Sequence, residues 1–542
     1  MSAIGIHTTE LLILLLVTFT ALLAAGAQRL KVPYPIALVI GGLILSLIPV
    51  FPNISLDPTL VFLVVLPPLL YSSALQTSWR EFRINLVQIL LLAFGGVAFT
   101  VAGVALASHL LLPDFSLAAG AVLGAVVSAT DAISASAIGR RVGLPQEMLD
   151  LIEAESLVND AAGLLALQFS VAMVVSGTVP GFSSGVAELL LLIVGGVAAG
   201  LIVGSLVFLF QRPLRGSALQ TLVGLATPYF AYLLGESFHA SGVLATVTCG
   251  LYIGQKSSQA FTSEARLEAD AVWKTIEFGL NGMVFILIGL QLPNVLDGMR
   301  PLHWPSLIAG AAFISMLVVA LRMLWIYPAE AVSRKIRTRW LGQTLEPADS
   351  KKTFVVGWAG MRGVLTLAAA LSLPDVTATG APFPHRAGIL FLAFAAILVS
   401  LTGQGLSLPW FIKKLKLGSS VWLMNEERSA RRALATAALR SLEQTRLAIA
   451  GDGTAGQGKD AEMRTGFIER YYRQRLDALQ ENNEKRPAAV RQQADFATLT
   501  GKLRQVERDE LMRLEQEGKI GGETLRKLER ELDLLDMRFL VR

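Results

Sequence analysis

Apolar runs of about twenty residues recur along the first three quarters of the chain, each long enough to cross the roughly 30 Å hydrocarbon core of a bilayer as a helix. Short polar loops separate them. AQRLKVP, TSWREFR, IGRRVGLP, QRPLRGS, SRKIRTRW and KKLKLG are basic, whereas FPNISLDP, LPDFS, SGTVPGFSSG and GESFHASG are not. GQKSSQ is mildly basic, and PNVLDGMRPLHW and PDVTATGAPFPHR are mixed. Basic loops belong on the cytoplasmic side, so the alternation predicts an all-α polytopic membrane protein of about 13 transmembrane helices, N-terminus outside and C-terminus inside. An odd count turns the two halves in opposite directions and predicts an inverted repeat. The fifth span, near 124–138, then corresponds to the twelfth, near 353–373, and the sixth to the thirteenth. The segment around 240–254 is the shortest of the series.

From about Asn425 the pattern changes. The remaining chain is charged, with similar numbers of acids and bases, and GDGTAGQGKD reads as a flexible linker. Over 495–538, Leu503, Val506, Leu511, Leu514, Leu525, Leu528, Leu532 and Leu535 fall at helical spacing, with EGKIGGE as a break between two helices. Two domains are predicted: a transmembrane domain over 1–424 and a soluble helical tail over 425–542.

Composition agrees with the spans. Hydrophobic residues make up 53% and charged residues 16% of the chain, and mean hydropathy is +0.55. That leaves too little polar surface for a water-exposed globule and makes membrane lipid a partner. The net charge of +5 carries no nucleic-acid signal, because the basic residues are strung between spans without interleaved aromatics. The single cysteine, Cys249, excludes an intrachain disulfide and sits in an apolar run, as a packing residue does. The first run, ELLILLLVTFTALLAAGAQ, resembles a signal peptide until its charges are placed. No Lys or Arg precedes it, and Arg29 and Lys31 follow it, so it is read as a first transmembrane helix.

Three spans carry polar residues that their surroundings penalise. LIEAESLVNDAAGLLALQFSVAMVV, residues 151–175, holds Glu155, Ser156, Asn159 and Asp160. At about 100° per residue these fall at roughly 0°, 100°, 40° and 140°, one stripe on an otherwise Leu and Val helix. Such a stripe faces the bundle interior or a water-filled cavity. A structural ion pair would need fewer groups than the four present, so the stripe is a candidate site with Asp160 near mid-span. VLGAVVSATDAISASAIGRR sets Asp131 among Ser128, Thr130, Ser134 and Ser136. Small residues and hydroxyls suit a broken helix, and an Asp opening its second half offsets the positive helix end. FVVGWAGMRGVLTLAAALSLP brackets Arg362 with Gly357, Gly360 and Gly363. A buried arginine needs a carboxylate, and Glu155 is the first candidate, Asp131 the second. His7, His109, His239, His303 and His385 fall at span ends, and the core has no nucleophile motif or phosphate loop, so neither an enzyme nor a cofactor is expected.

TDA at 130–132, EAESLVNDAAG at 153–163 and GWAGMRGVLTLAAAL at 357–371 together resemble the cation:proton antiporter-1 family, most of all its bacterial sodium/proton antiporter branch, over about residues 10–420. The resemblance implies an antiporter fold with two broken, crossing helices and a homodimer. It also implies Asp160 as the ion- and proton-binding carboxylate, with Ser156 and the Thr130 carbonyl as sodium ligands. Asp131, at the crossing, and Asn159 would belong to the same ion- and proton-binding set, and Glu155 would pair with Arg362, supported by Asn159. This chain departs from the family at Ala132, where members usually have Pro, and at Ser72 and Ser73, where many members carry an acid.

A carboxylate in a partly dry site favours its neutral form, so proton and cation compete for the same oxygens near neutral pH. The expectation is a secondary-active, electroneutral sodium/proton antiporter of the cell inner membrane, serving pH and sodium homeostasis, with Na+ and H+ as cargo. Alternatives are a potassium/proton exchanger, a channel or another ion-transport protein, or a membrane receptor that senses ions.

Overall fold

In a computed structural model the described residues are 3–417, without 31, 49–57, 113–114, 177–181, 215, 298–303, 346 and 379, together with 431–444 and scattered positions between 466 and 528. The chain divides into two compact units, residues 1–419 and 420–542. The described part of the first is almost wholly helical, with one isolated bridge between Val376 and Pro382.

Its helices are α1 (Ala3–Leu30), α2 (Tyr34–Ser46), α3 (Pro58–Gln76), α4 (Trp79–Leu111), α5 (Leu117–Ser128), α6 (Ala132–Arg141), α7 (Gln146–Ser176), α8 (Phe182–Gln211), α9 (Ser217–Ser237), α10 (Gly242–Ala260), α11 (Ser263–Leu290), α12 (Leu292–Asp297), α13 (Trp304–Arg339), α14 (Ser350–Trp358), α15 (Val364–Leu371) and α16 (Arg386–Lys414). Among the described residues eight stretches, counting α5 and α6 as one, are long and apolar enough to cross a membrane, and 14–30 and α2 are shorter apolar helices. Hydroxyl and carboxylate caps begin several of them. Ser78, Ser116, Ser241 and Thr262 accept from the backbone N–H three residues on, and Asp349 from that of Lys351. Capped by Ser241, α10 extends to Ala260, beyond the short 240–254 segment expected from hydropathy.

Two features shape the centre of this unit. The fifth and twelfth predicted spans are both interrupted, at 129–131 between α5 and α6 and at 359–363 between α14 and α15. The two breaks touch, for the Asp131 N–H donates to the Met361 carbonyl at 2.7 Å. In addition, α3, α4 and α16 each contain a widened π turn, at Val61–Val65, Leu91–Gly95 and Ser400–Gln404. Such turns release local backbone pairing for other partners. The Leu91 carbonyl accepts from Trp325 Nε1 on α13 at 3.0 Å, and Ser400 is carried to the second break.

Apolar side chains fill the space around the breaks. The largest cluster joins α5, α6, α14, α15 and α16 through residues such as Leu123, Val126, Ile138, Met361, Leu367 and Ile397. A second joins α3, α4, α7 and α10. The third holds Tyr71, Val203, Ala231, Cys249, Ile253 and Trp273, so Cys249 is a buried free thiol used in packing.

In the second unit, 431–441 and the residues to 444 are helical. The predicted boundary at 425 and the linker at 451–460 lie outside the described residues, as do the helices expected over 495–538 apart from single positions.

Cys249 has no exposed surface. A membrane-permeant maleimide should therefore leave native protein unlabelled and modify it stoichiometrically after denaturation in SDS. Rapid labelling of the native protein would show that the third cluster is not packed as described.

Candidate functional site

Breaking two helices inside a bilayer creates four helix ends with unpaired backbone groups and partial charges of about half an elementary charge each. The side chains at 130–131, 155–160 and 360–363 are placed by the need to satisfy them.

Asp131 caps α6. Its Oδ1 accepts from the Ile133 N–H at 3.0 Å and its Oδ2 from the Ser134 hydroxyl at 2.6 Å. Ser156, reaching across from α7, bridges the same break. Its hydroxyl donates to the Thr130 carbonyl at 2.7 Å and accepts from the Ala132 N–H at 3.2 Å. Proline at 132 would have no N–H to offer, so this departure from the family pattern adds a bond to Ser156. Asn159 Nδ2 donates to Thr130 Oγ1 at 3.2 Å and to Glu155 Oε1 at 3.0 Å. The second break lies against the first without room for side chains. A Cβ at Gly363 would meet Asp131 Oδ2 at 2.6 Å, and one at Gly360 would overlap the Arg322 guanidinium.

Glu155 does not pair with Arg362. Arg322, mid-way along α13, holds it through two parallel bonds, Nη1 to Oε1 at 3.0 Å and Nη2 to Oε2 at 2.7 Å. Arg322 Nε also donates to the Gly357 carbonyl at 3.1 Å, which ties the pair to the last turn of α14. Arg362 is turned elsewhere because the C-terminal ends of α5 and α14 claim it. Its Nε donates to the Val127 carbonyl at 2.9 Å and its Nη1 to the Gly360 carbonyl, while its own N–H donates to Ser400 Oγ at 3.0 Å. A cation at a helix C-terminus is stabilised by the aligned carbonyls, so this arginine needs no carboxylate of its own. Sequence reasoning missed Arg322. The signal was present, since a lone Arg inside FISMLVVALRMLWIY is as costly as Arg362, but partner choice depends on which helix lies opposite.

Asp160 is left over. It is half-buried, and its Oδ1 is buried without a protein partner. With Asp131, Thr130 and Ser156 it lines a cavity of about 390 Å³ that runs to the exposed Arg140–Glu153 ion pair and to Lys274 and Glu277. Of the two neighbouring serines, Ser72 is buried and bonds the Leu69 carbonyl, whereas Ser73 lines this cavity. A second cavity, about 700 Å³, is lined by Leu164, Gln168, Leu371, Asp375, Arg386 and residues of α9 and α10. The two share no lining residue. On α7 they are reached from Asp160 and from Leu164, one helical turn or about 6 Å apart. Asp160 thus lines one cavity and stands a turn away from a residue that lines the other.

Residues 14–414 match the family model described as "Sodium/hydrogen exchanger, transmembrane". An uncharacterized Na(+)/H(+) exchanger of Mycobacterium tuberculosis is 32% identical over 463 residues, 84% of each chain. A sodium, potassium, lithium and rubidium/H(+) antiporter of Bacillus pumilus is 31% identical over 425 residues, 76% of this chain and 62% of that protein. Among solved structures, the sodium proton antiporter MjNhaP1 from Methanocaldococcus jannaschii at pH 8 superposes with a TM-score of 0.61 and 17% identity, over 76% of this chain and all of that one, which shows a shared fold.

The Glu155–Arg322 assignment is testable by a double-mutant cycle on thermal stability in detergent. Glu155→Gln or Arg322→Met alone should cost about 3–5 kcal/mol, because each strands a buried charge, and the double variant should recover part of the loss. The cycle of Glu155→Gln with Arg362→Met should show the smaller coupling. Additive losses for 155 and 322 would break the assignment.

Proposed function

Because the chain belongs to the sodium/hydrogen exchanger family, we propose that Asp160 is the group at which its antiport takes place, binding one proton or one monovalent cation in turn. As a family member the protein is a multi-pass membrane transporter that exchanges sodium for protons. The observation that carries the site is a carboxylate lining a cavity, with a buried oxygen that no protein group engages. The other charges already have partners: Glu155 has Arg322, Asp131 has the start of α6, and Arg362 has the carbonyls at the ends of α5 and α14.

Ser156 and the Thr130 carbonyl lie next to each other in the same cavity and serve as neutral oxygen ligands of the cation. Hard cations take such hydroxyl, carbonyl and carboxylate oxygens. Each oxygen keeps a lone pair when the Ser156–Thr130 bond is made, so loading need not break it. Asn159 holds Glu155 and Thr130 in register instead of touching the ion. Alternating access then moves the turn that separates the two cavities, so that Asp160 faces one and then the other. An empty, charged site is costly to carry through an apolar barrier, whereas a neutralised one is not. That difference couples the two gradients without ATP.

The same reading places the protein in the inner membrane of a bacterial-type cell, N-terminus outside and C-terminus cytoplasmic, as a homodimer with a role in pH and sodium homeostasis. The Bacillus pumilus relative is named for potassium, lithium and rubidium as well as sodium. A broad cation range is therefore the second reading, and one carboxylate with neutral oxygens is compatible with it.

In proteoliposomes, Asp160→Asn should be inserted and folded yet exchange no cation on a panel of sodium, lithium, potassium and rubidium. Near wild-type flux in that variant would move the site to another carboxylate, Asp131 first. The charge count also sets the stoichiometry. One carboxylate that carries either one proton or one monovalent cation has the same charge in both directions. An imposed membrane potential should then leave the exchange rate nearly unchanged, whereas a cycle moving one net charge would feel about 2.3 kcal/mol per 100 mV. A steep voltage dependence would require a second titrating acid.

A further inference from the structure

Thr366 stands on the first turn of α15, directly after the second break. It is 1% exposed, its Oγ1 has no hydrogen-bond partner, and it lines the cavity that holds Asp160. Several buried hydroxyls in these helices turn back onto their own backbone, while those of Ser108, Ser136, Thr221 and Ser333, like that of Thr366, do not. Thr20 bonds the Leu16 carbonyl, Ser128 that of Ala125, Thr246 that of Gly242, Ser315 that of Ala311 and Ser400 that of Ile397. This local bond is the ordinary recourse of Ser and Thr in a helix. Thr366 makes no such bond. The outcome is a desolvated hydroxyl whose nearest open space is the ion cavity.

We propose that the Thr366 hydroxyl is a ligand of the transported monovalent cation, so that the ion is held between Asp160 on α7 and Thr366 on α15. This rests on the reading that Asp160 is the exchange site. A hydroxyl oxygen offers lone pairs to a hard cation without adding charge, so the one-for-one stoichiometry is preserved. It also gives the ion a ligand on each broken helix, the Thr130 carbonyl on one and Thr366 on the other. In the proton-loaded state the same hydroxyl is free to pair with the cavity's water.

The test uses full-length protein in proteoliposomes, with sodium as the probe. Thr366→Val, which keeps the shape and removes the oxygen, should raise the half-saturating sodium concentration about tenfold, the worth of one lost interaction with an ion. The maximal rate should fall much less, and Thr366→Ser should recover most of the affinity. In detergent, the rise in melting temperature produced by sodium should shrink in Thr366→Val relative to the wild type, while the sodium-free melting temperature stays close to it. If Thr366→Val is not recovered folded, Thr366→Ala is read in the same way. Wild-type half-saturation in the Val variant overturns the proposal. So does a lowered sodium-free melting temperature with the sodium increment intact, which would mark a packing role only. Exchange that survives in Asp160→Asn overturns the underlying reading instead, and the two failures are separate measurements.

Discussion

Four helix ends meet in the middle of this membrane unit, and everything polar around them follows from the absence of water there. A continuous helix satisfies its own backbone in lipid, but a broken one leaves N–H groups at one end and carbonyls at the other. Here the ends are answered by side chains of opposite sign. Asp131 takes the N–H groups that open α6, and Arg362 takes carbonyls that close α5 and follow α14. Ser156 and Ser400 fill in from neighbouring helices, and the breaks bond each other through Asp131 N–H and the Met361 carbonyl. The crossing is therefore a charge-balanced, hydrogen-bonded centre.

That balance is what gives Asp160 its distinct standing. An acid surrounded by unmatched charges would have its ionisation decided by them. With Glu155 held by both arms of Arg322 and Asp131 spent on a helix end, the remaining carboxylate, proposed above as the exchange site, is tied to neither pair. The glycines of GWAGMRG serve the same end through shape. Gly360 makes room for Arg322 and Gly363 lets the second break lie on Asp131, so a methyl group at either position would push apart the elements that hold the charges in place.

Much of this was legible before any coordinates. The polar stripe of Glu155, Ser156, Asn159 and Asp160 is a consequence of helical periodicity, and all four do face the centre, with Asp160 on the cavity. Ser and Thr around Asp131 marked the first break, because a backbone released in lipid needs hydroxyls, whereas the second was expected only from the family resemblance. The pairing of Glu155 was not legible. Periodicity says which face a residue occupies and not which helix lies opposite, so two buried arginines were indistinguishable as partners. The nearer motif, GMRG, drew the assignment to Arg362. The separate need of the helix ends for positive charge redirected that side chain to carbonyls.

The sequence by itself determined the class of the protein, the first of the spans that break and the polar stripe that faces the centre. Hydropathy, the cost of buried charge and the spacing of polar residues act locally, and they can be read along one strand of text. Only the tertiary structure decided that Arg322 answers Glu155, that Ala132 offers its N–H to Ser156, that Thr366 is left without a partner in the ion cavity, and that one turn of α7 separates the two cavities. Each of those depends on distances between segments far apart in the chain. Inside a membrane such distances are set by how helix ends and side chains share the few available hydrogen-bond partners, a global bargain that no single segment encodes.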